Sequence, residues 1–277
     1  ALAGLESGKR TPGYTISDPG YFLLPGNRHQ YRDWKAGGHG SVDMFKSIVI
    51  SCDTYYYGLA TDLGIDSVHF YLNRFGFGQK TGLDMEGESS GLLPSQDWKR
   101  RRFNQIWYPG DTVSVGIGQG YTLVANDGIG HRPHLVKQEQ AAENPSDIDL
   151  KLKAEHMALV RRAMTAVTLP GGTAAYAGSG ATYPFAGKTG TAQVIGIKQG
   201  EKYVEKDINE RHRDHAWFIA FAPADKPRIA LAVLAENAGH GGSIAAPIAR
   251  KVIDYYLLGK VPLSMQNAKA DTEAEHD

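Results

Sequence analysis

The sequence predicts an α+β fold, helices early in the chain and an antiparallel sheet late in it. Three observations carry this. Up to about Val167 the clearest apolar patterns repeat at helical spacing. From Phe185 onward the apolar residues gather in short runs rich in aromatic and β-branched side chains. A last helical pattern follows those runs, placed to close over the sheet.

Taken in order, Tyr14–Gly40 is rich in Pro, Gly, Asp and aromatics and has no sustained period, so it reads as irregular backbone. From Val42 to about Leu63, Met44, Phe45, Ile48, Val49 and Cys52 recur at helical spacing, with a second helix from Tyr55. Leu152–Val167 reads as a helix stopped by Leu-Pro-Gly-Gly at 169–172. Phe185–Ile195, Ala216–Ala222 and Ile229–Leu234 read as three antiparallel strands. In the closing helix Ile244–Leu258, the spacing of Ile248, Val252, Tyr255 and Tyr256 predicts the face that covers the sheet. Residues 1–262 read as one domain, and 263–277 as a polar, disordered tail.

Composition narrows the function. Lys plus Arg and Asp plus Glu are 30 each in 277 residues, a balance that argues against nucleic-acid binding. At 42% hydrophobic residues, wholesale disorder is excluded. The longest apolar runs, Ala216–Ala222 and Ile229–Ala235, are seven residues each, against the ~20 a membrane-spanning helix needs. The opening Ala-Leu-Ala-Gly-Leu-Glu lacks the basic start and long apolar region of a secretory leader. A single cysteine, Cys52, permits no internal disulfide.

The most informative segment is Gly187-Lys188-Thr189-Gly190-Thr191-Ala192, at the start of a predicted strand. Lys188 supplies positive charge, Thr189 and Thr191 donate hydrogen bonds, and Gly190 permits close approach of another chain. Such an edge suits a peptide ending in a carboxylate. The alternative is a strand that merely begins Lys-Thr-Gly. Two further elements stand upstream: Ser51-Cys52-Asp53 in a helix–helix junction, and Gly116-Ile117-Gly118-Gln119-Gly120.

A Lys-Thr-Gly strand with a Ser-x-Asn/Asp element resembles the penicillin-recognising serine acyltransferases. Tyr31-Arg32-Asp33-Trp34, the run from Gly110-Asp111-Thr112 to Gly120-Tyr121, and Lys188 to Val194 resemble the elongation-specific class B penicillin-binding proteins. Arg213-Asp214-His215, Phe221-Ala222-Pro223 and Glu236-Asn237 extend the similarity over about residues 13–260. The resemblance implies a penicillin-binding/serine β-lactamase-like transpeptidase fold, its sheet flanked by helices. It implies a D,D-transpeptidase that cross-links peptidoglycan stem peptides, is acylated by β-lactams, and needs no cofactor for acyl transfer. Ser51 would relay a proton, with Asp53 the third position of its motif. Lys188 would polarise the site, while Thr189, Gly190 and Thr191 line the substrate strand. The resemblance also implies the periplasmic face of the bacterial inner membrane, an anchoring helix outside this sequence, and a membrane-embedded glycan polymerase as partner.

Three departures qualify this. No serine in the chain stands three positions before a lysine, so the family's Ser-x-x-Lys nucleophile motif is absent and the chain as written is expected to be inactive. Gly120-Tyr121-Thr122-Leu123 runs almost directly into Ala125-Asn126-Asp127-Gly128, where the family carries a helix. The third motif position is Asp53, which when ionised accepts hydrogen bonds but cannot donate them as an amide does. Two alternatives stay open: a catalytically silent module of the same fold that binds stem peptide, and a serine β-lactamase.

Asp18, Asp33, His39 and Cys52 offer the ligand types of a four-coordinate zinc site. Their spacing of 15, 6 and 13 residues fits no compact zinc motif. The other reading is a buried free cysteine with Asp33 and His39 in ordinary hydrogen bonds. Elsewhere, Lys99-Arg100-Arg101-Arg102 reads as a solvated loop or one facing anionic glycan or lipid. Gly116–Gly120 reads as a closely packed wall, not a nucleotide loop, because no Lys-Ser/Thr follows it. His215 reads as a strand-edge histidine within a surface turn, and Asn237–Gly242 as a loop bordering the groove.

Overall fold

The computed structural model describes residues 1–81, 88–116, 129–130, 148–195, 204 and 207–261. Residues 117–120, the expected family helix near 121–125 and the tail at 263–277 lie outside the described residues. The chain divides into two compact units, residues 1–163 and 164–277.

In the first unit, α1 (Leu2–Glu6) leads into four three-residue strands: β1 (Ile16–Asp18), β2 (Tyr21–Leu23), β3 (Gln30–Arg32) and β4 (Gly40–Val42). This corrects the expectation of irregular backbone over Tyr14–Gly40. β2 and β3 pair as an antiparallel hairpin, nested between β1 and β4, which pair with Asp18 opposite Gly40. Strands this short carry no readable period. Two helices follow, α2 (Met44–Val49) and α3 (Asp53–Arg74). Asp43 caps α2 by accepting the Lys46 N–H at 2.7 Å. α3 starts two residues before the predicted Tyr55 and is broken at Gly64, whose φ is 74°.

Next come α4 (Gln96–Phe103), α5 (Pro109–Val115), the short pair β5 (Ile129–Gly130) and β6 (Ile148–Asp149), and α6 (Ala154–Ala166). The Lys99–Arg102 run is therefore helical, not a loop. Lys99 pairs with Asp111 and sits 4.7 Å from the centre of the Tyr108 ring. The three arginines are exposed at the C-terminal end of α4, where a helix dipole favours cations. Val42, Met44, Ile48, Tyr55, Leu59 and Val113 are buried in this unit.

The second unit holds α7 (Ala175–Gly178) and a three-stranded antiparallel sheet in the order β7-β8-β9: β7 (Ala186–Ala192), β8 (His215–Ala222) and β9 (Ile229–Ala235). A short 3-10 turn at Glu210–His212 precedes β8. β7 is shorter at both ends than the predicted Phe185–Ile195.

α8 (Ala245–Leu258) packs on β8 and β9. Its buried face is Ala245, Ala246, Ala249 and Ile253, whereas Ile248, Val252, Tyr255 and Tyr256 are exposed. The expectation for that helix is thus reversed. Three alanines let the helix axis approach the sheet closely, and the large side chains are left on the outer side.

Candidate functional site

The first unit gathers four potential ligands from four places in its sequence. Asp18 ends β1, Asp33 follows β3, His39 precedes β4, and Cys52 stands between α2 and α3. The β1–β4 pairing with its nested hairpin is what brings together Asp18 and His39, 21 positions apart in the sequence. Backbone crowding fixes the approach: a Cβ on Gly38 would lie 2.1 Å from the Asp18 carbonyl oxygen, so this position needs glycine.

One ligand atom from each of the four residues lies within 4.8 Å of all the others. His39 Nδ1 is 2.8 Å from Asp18 Oδ2 and 3.4 Å from Asp33 Oδ1. Cys52 Sγ is 3.4 Å from Asp18 Oδ2. Both carboxylates are buried, and their ion pairs among the described residues run to His39 alone. Lys46, close by, spends its ammonium on the carbonyls of His39 and Ser41.

Burial pushes the Asp18 carboxyl up, but hydrogen bonds from the Gly20 amide, His39 and Cys52 outweigh it and hold the group below the ordinary range. Burial also pushes the Cys52 thiol well up, and the flanking carboxylates of Asp33 and Asp18 add to the rise. His39 Nε2 is buried with no hydrogen-bond partner among the described residues.

Cys52 also finishes a turn. The Ser51 N–H donates to the Ile48 carbonyl at 3.4 Å and the Cys52 N–H to the Ser47 carbonyl at 2.9 Å. This is the paired arrangement that ends a helix with a left-handed residue, usually glycine. Here that residue is Ser51, with φ at 55°. Asp53 opens α3, and its carboxylate accepts the Trp34 N–H at 3.1 Å. Asp33 Oδ2 accepts the Thr54 N–H at 3.2 Å, capping α3 from outside.

In the second unit, Lys188, Thr189, Gly190 and Thr191 lie in the middle of β7, which among the described residues is an outer strand with β8 on one side. They pair with Ile219, Phe218, Trp217 and Ala216. Thr173 Oγ1 and Thr189 Oγ1 share a hydrogen bond of 2.9 Å, and Lys188 Nζ donates to the Thr189 carbonyl at 2.8 Å. Gly241 packs over this strand: a Cβ there would lie 2.5 Å from the Gly190 carbonyl oxygen.

The penicillin binding protein transpeptidase domain matches residues 1–254. The chain belongs to that family. It is 41% identical over 282 residues to the peptidoglycan D,D-transpeptidase MrdA of Haemophilus influenzae, which covers 95% of this chain and 43% of the relative. The structure of Pseudomonas aeruginosa PBP2 in complex with WCK 5153 superposes with a TM-score of 0.82 at 43% identity, over 95% of this chain and 58% of that one. A structure described as the coordination of polymerization and crosslinking by a peptidoglycan synthase complex matches with a TM-score of 0.77 at 29% identity, over 95% of this chain and 45% of its own. The transpeptidase domain thus spans less than half of the curated relative it matches.

Of the sequence-predicted residues, Asp18, Asp33, His39 and Cys52 come together, with Ser51 and Asp53 beside Cys52. Lys188, Thr189, Gly190 and Thr191 share one strand of the other unit. His215 begins β8 and accepts the Asn237 N–H at Nδ1, as a strand-edge histidine. Sequence reasoning missed Trp34 and Thr173 as site residues, whereas Gly241 lies in the Asn237–Gly242 loop that it read as bordering the groove. Trp34 was within reach, since it follows Asp33 in the Tyr31-Arg32-Asp33-Trp34 motif.

Proposed function

We propose that the chain is the transpeptidase part of an elongation-specific penicillin-binding protein, cross-linking peptidoglycan stem peptides by serine acyl transfer. The observation that carries this is the Lys188–Thr191 stretch displayed on the outer strand β7 of a family member. Lys188 attracts the substrate carboxylate, and the hydroxyls of Thr189 and Thr191 bind it. Gly190 keeps the strand open to a peptide, and the Thr191 N–H forms half of an oxyanion hole. Ser51 relays protons, and Asp53 anchors the turn that presents it. The attacking serine forms an ester with the penultimate D-alanine carbonyl, and the terminal D-alanine leaves as a protonated amine. An amine of a neighbouring stem then takes the acyl group and frees the serine. β-Lactams acylate that same serine.

The nucleophile belongs to a Ser-x-x-Lys segment, and no serine of this sequence stands three positions before a lysine. The reading therefore places the reaction in a longer protein, anchored at the periplasmic face of the inner membrane beside a membrane-embedded glycan polymerase. No helix among the described residues is long and apolar enough to supply that anchor.

The same reading gives Asp18, Asp33, His39 and Cys52 a structural zinc ion. Two buried carboxylates whose ion pairs among the described residues run to a single imidazole carry negative charge that a divalent cation would neutralise. Bound there, the metal would hold the thiol as thiolate and brace the loop beneath Ser51. It takes no part in acyl transfer.

Intact mass after incubation with a penicillin tests the main reading. The longer protein bearing Ser-x-x-Lys gains one stable penicilloyl group, and Lys188→Ala slows acylation about 10²-fold or more. Wild-type acylation in Lys188→Ala overturns the role of β7. Rapid loss of the adduct points to a β-lactamase, and a longer protein that never acylates points to a silent binding module.

A further inference from the structure

Trp34 is 61% exposed, yet it is fixed at two points. Its backbone N–H donates to Asp53 Oδ2 at 3.1 Å, and its indole N–H donates to the Ile50 carbonyl at 3.0 Å. Those two residues bracket Ser51 and Cys52. The indole ring also lies 5.3 Å from the His39 ring, centre to centre, at a tilt of 56°. Trp34 follows Asp33 directly in the chain. One residue, through its backbone N–H and its indole, thus joins two of the four clustered residues to both ends of the Ser51 turn.

The turn needs such a tie. Ser51 occupies the left-handed region, which costs a residue with a Cβ about 1–2 kcal/mol. A strained conformation of this kind persists only where its surroundings over-determine it. The Ile50 carbonyl is also among the last of α2, with no later helical N–H to accept. The Trp34 indole supplies that donor from a segment 16 residues away.

We infer that Trp34 is a positioning residue that couples the Asp18–Asp33–His39–Cys52 cluster to the Ser51 turn, so that an ion in the cluster stiffens the residue carrying the proton relay. The inference rests on the zinc reading above. It assigns Trp34 no contact with substrate. Its indole N–H acts on the backbone, and its position next to Asp33 and against His39 links that N–H to the state of the cluster.

Amide hydrogen exchange, read on a peptide covering residues 50–54 with and without added zinc, tests this. The Ser51, Cys52 and Thr54 amides are all hydrogen-bonded, so their exchange reports opening of the turn. In the wild-type chain zinc slows that exchange. In Trp34→Phe the ring remains but the indole donor is gone; one zinc still binds by native mass spectrometry, while the turn exchanges about fivefold faster and no longer responds to the metal. A control peptide over residues 186–192 is unchanged by the substitution. Should Trp34→Phe not fold, Asp53→Ala removes the other attachment point and is read in the same way.

Trp34→Phe with wild-type, zinc-dependent protection of the turn overturns the coupling while leaving the metal site intact. A wild-type chain that takes up no zinc overturns the metal reading, and the coupling with it.

Discussion

Five consecutive residues of β8, Phe218 to Ala222, are buried and all apolar. In the loops around β1–β4 the buried residues include Asp18, Asp33 and Cys52, and the strands are three residues long. The sheet is held by apolar area removed from water and by two seven-residue ladders. The loop region is held by hydrogen bonds to two buried carboxylates, each of which serves more than one donor. Asp18 alone takes the Gly20 and His39 amides and the His39 ring. Stability of the first kind is spread over many atoms. Stability of the second kind is concentrated on a few groups, and removing one strands several partners.

That contrast can be broken most forcefully from the sheet. Phe218 is fully buried, and Phe218→Ala is expected to cost about 3–5 kcal/mol, read as a fall in the denaturation midpoint. Its effect on exchange should be confined to residues 164–261. Equal destabilisation of the loop region would show that its hydrogen bonds depend on the apolar sheet.

Chelation sharpens the comparison from the other side. With zinc at about 100 times its Kd, the cluster is expected to gain about 2.7 kcal/mol that a chelator removes. Cys52→Ser is expected to abolish that response. Differential scanning calorimetry with and without chelator should show the shift in wild type alone. A chelator-sensitive transition that survives Cys52→Ser would show that the ion lies elsewhere.

The smallest expected effect runs in the opposite direction. Ser51→Gly relieves the left-handed serine and is expected to stabilise the chain by about 0.5–1 kcal/mol. In the longer protein the same change should slow acylation, because the hydroxyl is lost. Destabilisation by Ser51→Gly would mean that the Ser51 side chain holds the turn as well as occupying it.

The two regions also differed in how well they could be read. β8 and β9 were legible because each is an unbroken apolar run of strand length, although only β8 is buried and β9 alternates between half-buried and exposed residues. α6 was legible because its apolar spacing is regular and Leu-Pro-Gly-Gly ends it. The Lys188 edge was legible as a motif of distinctive chemistry. The strands within residues 16–42 were not, since three residues cannot display alternation. The left-handed turn at Ser51 was hidden because the usual glycine is absent. The outer face of α8 misled because large apolar residues suggest a core, whereas Ala245, Ala246 and Ala249 pack closest. The four clustered side chains were recognisable as ligand types, but their convergence depends on a strand pairing that the spacing does not reveal.

Cys52 has zero exposure, and it is the one thiol in the chain. A reagent can reach it only when the β1–β4 loops part, because the thiol has no exposed surface while they are closed; burial also holds back the reactive thiolate. Its alkylation rate is therefore a clock for the opening of that region, running in the unlabelled, unmodified sequence. Occupancy of the neighbouring ligand positions would set how fast the clock ticks, and no engineered probe is required to read it.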